Sequence, residues 1–315
     1  MKKIIILCII AVIACAGVWF FRDKTMLKTS SGWKTYPTNC RELLDDGGKL
    51  NTTIYSSFGL SRMKKLTRLE VKSLNRYDFL EELDELEELD VRVDEEHPLD
   101  LSTFPEVRSL KQLVINNGDY IEACTYGISD KFPRLESIWF IGGHISDENM
   151  RDISKCPELK RVLFWGFDRQ PFDLSPLTKA EKLEELDLQD VFPKMDLTPL
   201  SEMSGLKVLE CTVYNEEEIE ITSHLSSLKE LYICSSSCIS EEDDKLELPD
   251  NYFDELDSLE EFAAYDFKIG DDMNISSLPS GLKKMTFKDC YISEKIKNKI
   301  SEMGIDIEIT NSTHT

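Results

Sequence analysis

Ten short stretches of this chain share one spacing of apolar residues, L-x-x-L-x-L, with the later positions open to any apolar side chain. They begin at Leu66 (LTRLEV), Leu86 (LEELDV), Leu110 (LKQLVI), Leu135 (LESIWF), Leu159 (LKRVLF), Leu183 (LEELDL), Leu206 (LKVLEC), Leu228 (LKELYI), Leu259 (LEEFAA) and Leu282 (LKKMTF). The second half of each frame alternates between inward and outward positions, which predicts a short strand with one buried face. In LKRVLF, Val162 and Phe164 therefore face one way, and Leu163 and Trp165 face the other. The first and last frames lie 216 residues apart over nine steps, an average period of 24.

A unit of this size offers a strand and a return segment that cannot bury its apolar side alone, so neighbouring units stack and share one core. Strands stacked at about 4.8 Å form a parallel sheet, and ten of them span an arc of roughly 43 Å. The return segments are of two sorts. Asp173-Leu174-Ser175-Pro176-Leu177 and Asp196-Leu197-Thr198-Pro199-Leu200 each hold a proline that pre-sets a tight turn and predicts a short 3₁₀ segment. Ser146 precedes a stretch with Ile153 and Cys156 at helical spacing and is its expected N-cap. Near the end, Ser293 is placed to cap a helix with Ile292, Ile296, Ile300 and Met303 on one side and Gly304 as its stop. Ile305, Ile307 and Ile309 then alternate as a terminal strand.

Period and frame together resemble the leucine-rich repeat, whose units run to roughly 20–29 residues. The resemblance covers about residues 60–310. It implies an α/β fold, a horseshoe solenoid with a parallel concave sheet and a convex side of mixed helical, 3₁₀ and loop segments. The D-L-S/T-P-L turns at 173–177 and 196–200 resemble those of internalin-like bacterial repeats. That family usually places Asn or Cys three residues after the last frame position, where the side chain bonds turn backbone. Here those positions hold Leu74, Asp94, Gly118, Gly143, Phe167, Val191, Tyr214, Ser236, Phe267 and Cys290. Only Cys290 matches, so an asparagine ladder is absent and the solenoid is expected to be irregular. The step from Leu228 to Leu259 is 31 residues, and its excess around Glu241-Glu242-Asp243-Asp244 predicts a protruding loop.

The first 24 residues are a separate object, a signal peptide or membrane anchor. Lys2 and Lys3 precede an unbroken apolar run from Ile4 to Phe21, closed by Arg22 and Lys24. Val12-Ile13-Ala14-Cys15 resembles a bacterial lipobox, which makes Cys15 the candidate lipidation site. The chain stays apolar after Cys15, and the 18-residue run also suffices for an uncleaved spanning helix with Trp19 at the interface. Both readings attach the chain to a membrane, ordinary cleaved secretion is the third reading, and all three send the bulk of the chain to the periplasm or cell exterior. Residues 25–59 are read as tether and N-terminal cap, with Trp33, Tyr36 and Cys40 covering the core; residues 60–310 as the solenoid with its C-terminal cap; and 311–315 as a tail.

Composition narrows the partners. With 60 Asp or Glu against 37 Lys or Arg, the formal charge of −23 speaks against nucleic acid, whose phosphates need a basic surface. Seven cysteines outside the apolar run, odd in number and irregularly spaced, do not form a disulfide framework. Cys234 and Cys238, in CSSSC, are the pair close enough for a local bridge. His97, His144, His224 and His314 are scattered, and the pairs Glu87-Glu88, Glu184-Glu185 and Glu260-Glu261 recur at fixed frame positions, the mark of a solvated repeat position. No phosphate loop, H-E-x-x-H or calcium loop is present, so no enzyme, cofactor or metal site is expected.

The outward face carries the sharper signal. Charged and polar residues hold most of its positions, but in the third to fifth repeats Val114, Trp139, Ile141, Leu163 and Trp165 form one contiguous apolar patch, with Tyr232 and Tyr265 as possible extensions. Exposed apolar surface rimmed by charge marks an interaction site, and tryptophan dominates many of them. The competing reading is that residues 116–134, with Tyr120 and Tyr126, fold over the sheet and cover it. The function expected is a membrane-anchored, non-enzymatic protein that binds a protein, peptide or glycan on its concave face. The alternative is an acidic immunity-type or inhibitor protein that neutralises a basic toxin or enzyme.

Overall fold

The structure, a computed structural model of the 315-residue chain, describes residues 23–29, 32–43, 54, 56–72, 74, 76–93, 99–117, 126–166, 171–188, 195–235 and 245–310. All ten apolar frames become strands of one sheet. In chain order these are β4 (Arg68–Lys72), β5 (Glu88–Arg92), β6 (Gln112–Asn116), β7 (Ser137–Ile141), β8 (Arg161–Trp165), β9 (Glu185–Leu188), β10 (Val208–Val213), β11 (Glu230–Ser235), β13 (Glu261–Tyr265) and β15 (Lys284–Lys288). With β3 (Glu42–Leu43) and β17 (Asp306–Thr310) at its edges the sheet has 12 strands, and β12 (Glu247–Leu248), β14 (Lys268–Ile269) and β16 (Tyr291–Ile292) form a separate three-stranded parallel sheet among the return segments. The pairings of the large sheet are all parallel, and the frames align without slippage: Leu69, Leu89, Leu113, Ile138, Val162 and Leu186 pair in one continuous row.

The inward row of each strand meets the return segments in one continuous core from Leu27 to Ile305. Its middle is aromatic. Phe140 and Phe164 stack with ring centroids 5.5 Å apart, and Phe172 lies 4.6 Å from Phe164. The D-L-S/T-P-L segments are 3₁₀ turns, Ser175–Lys179 and Thr198–Glu202, each with a buried proline in its first turn. Asp173 and Asp196 accept hydrogen bonds from the backbone N–H of Ser175 and Thr198, at 2.8 and 2.9 Å, so each aspartate closes the turn it opens.

Four α-helices lie among the described return segments: α1 (Ile128–Lys131), α2 (Asp147–Ile153), α3 (Glu216–Ser223) and α4 (Glu294–Glu302). Ser146 caps α2 by accepting from Asn149 N–H, and Ser293 caps α4 by accepting from Ile296 N–H. Helix α3 is additional to the two helices that the spacing predicts, and its signature is present in the chain. Asn215 accepts from Glu218 N–H at 3.0 Å, while the Glu218 carboxylate reaches back to Tyr214 N–H at 2.6 Å, a variant of the capping box. Cys290 does stand in for a ladder asparagine: its Sγ accepts from Phe267 N–H at 3.3 Å and donates to the Ala264 carbonyl at 3.2 Å.

The ends differ from expectation in two respects. The stretch read as tether contains β1 (Lys24–Thr29), which pairs antiparallel with β2 (Gly32–Pro37) and buries Leu27 completely. Tyr36 and Cys40 pack against the core, but Trp33 is exposed, because it lies on the hairpin face opposite Leu27. At the other end Ile296 and Ile300 are buried under α4 as expected. Met303, placed on the same apolar side by spacing, is 48% exposed because it is the C-cap residue, past the last helical turn. The acidic run 241–244, Cys238 and Cys15 lie outside the described residues.

Candidate partner-binding surface

Outward side chains stand in three rows across the sheet. In the central row Glu70, Asp90, Val114, Trp139, Leu163 and Asp187 are successive register partners. Glu210, Tyr232, Ala263, Thr286 and Glu308 continue it. One row over, Asn116, Ile141 and Trp165 are partners. The register therefore joins Val114, Trp139, Leu163, Ile141 and Trp165 into one patch.

Its members differ in exposure. Trp165 is 47% exposed, and Trp139, Leu163 and Ile141 are half-buried. Val114 is buried at 8% exposure, so it forms the floor of the patch and not contact surface. Trp139 is held in place by a hydrogen bond from its indole Nε1–H to Ser137 Oγ at 2.8 Å. Tyr232 and Tyr265 do not extend the patch. Asp187 and Glu210 intervene in the central row, leaving Tyr232 three strands, or about 14 Å, from Leu163. The Tyr232 hydroxyl donates to Glu230 at 2.8 Å, and burial together with that carboxylate raises its pKa. Burial also raises the pKa of Tyr265.

The segment expected as a cover splits. Ile128 and Phe132 are fully buried, and α1 packs against α2 and the 3₁₀ turn Leu101–Thr103, on the side of the return segments. Tyr126 is exposed, and Tyr120 lies outside the described residues.

Solved structures superimpose on this chain. An internalin (InlF) of Listeria monocytogenes superimposes with a TM-score of 0.51 at 17% identity, over 82% of this chain and 76% of that one. The fold is a leucine-rich-repeat solenoid. Internalin C2 of the same organism (TM-score 0.38, 14% identity, 83% of this chain and 86% of that one) and a leucine-rich-repeat protein of Leptospira interrogans (0.40, 14%, 81% and 86%) are further matches. No protein-family profile and no curated protein matches the chain.

On this leucine-rich-repeat sheet the patch is bounded on both sides by carboxylates, a feature that follows from the register of neighbouring strands and that parity within a single strand does not show. Glu70 and Asp90 flank it on one side, Asp187 and Glu210 on the other. Glu70 is 5% exposed and forms a 2.5 Å ion pair with Arg92. Asp90 sits between Glu70 and Val114. Burial first, then the neighbouring Glu70 carboxylate, pushes its pKa up to about 6, against the opposing pull of Arg92. In the adjoining row Arg68 pairs with Glu88 at 2.5 Å and Arg161 with Glu185 at 2.6 Å, so both arginines already have partners.

The recurring glutamates have partners as well. Glu87 bonds Lys111 at 2.8 Å, Glu184 bonds Lys207, and Glu260 bonds Lys229 and Lys283, each tying one repeat to a neighbour. These exposed pairs contribute little individually. His144 and His224 lie far apart in the chain, and among the described residues no group of three or more His, Cys, Asp or Glu is arranged to hold a metal ion.

Proposed function

We propose that this protein binds a polypeptide partner on its concave sheet, with Trp165, Ile141, Trp139 and Leu163 as the apolar contact and the flanking carboxylates of Asp90, Asp187 and Glu210 selecting basic residues on the partner. The observation that carries the reading is the central row itself: two acids, three apolar residues, two acids. Trp165 leaves 47% of its surface in water. Covering that surface, on the order of 100 Å², stabilises a complex by roughly 2.5 kcal/mol.

The spacing defines the partner further. Asp90 and Asp187 are four strands apart, about 19 Å, a span that an extended segment covers in roughly six residues. A matching ligand crosses the strands with two or three apolar side chains between basic ones. The net charge of −23 supports the same preference at longer range, by steering a basic partner toward the sheet. It equally favours an inhibitor-type role against a basic toxin. Salt dependence separates the two emphases: binding governed by net charge collapses with added salt, whereas binding governed by the tryptophans does not.

The apolar run 4–21 supports attachment to a membrane, through a lipidated Cys15 or as an uncleaved helix, with the repeats on the periplasmic or outer side. Among the described residues no helix is long and apolar enough to cross a membrane.

The experiment is selection of random dodecapeptides on the full-length protein held in detergent, repeated with Trp139→Ala/Trp165→Ala. The expected result is enrichment of peptides with an apolar centre and Lys or Arg on both sides, lost in the double variant. Enrichment of the same peptides by both proteins would overturn the reading.

A further inference from the structure

We infer that the outward face of the N-terminal hairpin docks on an anionic lipid bilayer. In the antiparallel pairing of β1 with β2, register partners share a face: Thr25 and Leu27 point inward, at 2% and 0% exposure. Lys24, Met26 and Lys28, opposite Pro37, Thr35 and Trp33, point outward. A cap of a solenoid normally turns a polar face to water. This one presents Trp33 at 54% and Phe58 at 64% exposure, their rings edge-on with centroids 5.8 Å apart.

The aromatic pair is built into the cap. Phe58 precedes Gly59, which has φ +87°, and a Cβ on Gly59 would lie 2.4 Å from Thr25 Oγ1 and 2.7 Å from the Met26 carbonyl. Thr25 Oγ1 donates to the Gly59 carbonyl at 3.1 Å. Only glycine lets the turn approach the hairpin this closely, and that approach holds Phe58 against Trp33.

Charge decides which occupant fits. Residues 23–72 hold ten Lys or Arg against five Asp or Glu, whereas residues 73–315 hold 24 against 55. The basic end of a strongly acidic protein is therefore the end that carries the exposed Trp33–Phe58 pair. Amphipathic aromatics beside lysines match the headgroup region of a bilayer, and each cation near an anionic leaflet adds attraction. The apolar run ends at Phe21, three residues before Lys24, so once that run enters a bilayer the hairpin is within about 10 Å of its surface. The same polarity turns the acidic repeats away from the lipid and leaves the concave sheet accessible. The inference rests on the N-terminal segment entering a membrane and is independent of the partner-binding patch.

The test uses the full-length protein reconstituted in vesicles of brominated phosphatidylglycerol or brominated phosphatidylcholine. Bromine quenches only tryptophan in contact with lipid, and the contribution of Trp33 is the difference between wild type and Trp33→Phe. Quenching of Trp33 by more than half in phosphatidylglycerol, reduced at least twofold in phosphatidylcholine and by Lys24→Glu/Lys28→Glu, is expected. Equal quenching of wild type and Trp33→Phe overturns docking, and equal Trp33 quenching in the two lipids overturns the role of charge. The corresponding difference for Trp19→Phe reports insertion of the apolar segment separately.

Discussion

Phe164 and Trp165 are neighbours in the chain and lie on opposite faces of β8: Phe164 is fully buried between Phe140 and Phe172, and Trp165 is 47% exposed on the concave sheet. Their roles separate cleanly under substitution. Phe164→Ala leaves a cavity in the aromatic core and is expected to destabilise the protein by about 3–5 kcal/mol. Trp165→Ala is expected to cost less than about 1 kcal/mol. Urea unfolding of the two variants checks this; a large loss for Trp165→Ala would mean that the tryptophan is structural.

Asp90 makes stability depend on pH. Its carboxyl titrates near 6 in the folded protein and near 3.8 when unfolded, so between these values the folded state binds the extra proton. The contribution is fully present below about 4 and is lost as pH rises through about 6, with a total on the order of 3 kcal/mol. Glu70 and Arg92 are the charged groups that face it most directly. Unfolding followed from pH 4 to pH 7 is expected to have a flatter profile in Asp90→Asn than in wild type.

Ser293 closes the C-terminal end by capping α4, whose Ile296 and Ile300 cover the last repeat. Ser293→Ala is expected to lower stability by about 1 kcal/mol. Hydrogen exchange should accelerate first in β17 and α4, since terminal units of a solenoid depend on one neighbour only.

The buried thiols are inert in the folded state. Burial pushes the Cys156 thiol up to about 12 and the Cys290 thiol up to about 11. Iodoacetamide at pH 8 is expected to spare both in the native protein and to label both in denaturant, as peptide mass mapping would read out.

The repeat fold was legible because its signal is repeated. Ten frames set ten strands, and the alternation within LKRVLF put Val162 and Phe164 on the buried face and Leu163 and Trp165 on the other. The caps at Ser146 and Ser293 were legible from single polar side chains in the right place. What escaped depends on contacts between repeats. Val114 has the same outward parity as Trp139, but burial between neighbouring strands is a property of the assembled sheet. The carboxylates beside the patch become its flanks only when strands are read in register, and β1 lacks the frame that identifies the ten repeat strands.

The most direct measurement is titration of one selected dodecapeptide against wild type, Trp165→Ala and Asp187→Asn/Glu210→Gln at low and high salt. The account predicts affinity at least tenfold weaker for Trp165→Ala at either salt concentration. For the charge variant it predicts a smaller loss, confined to low salt. Equal affinity of all three proteins under both conditions would contradict it.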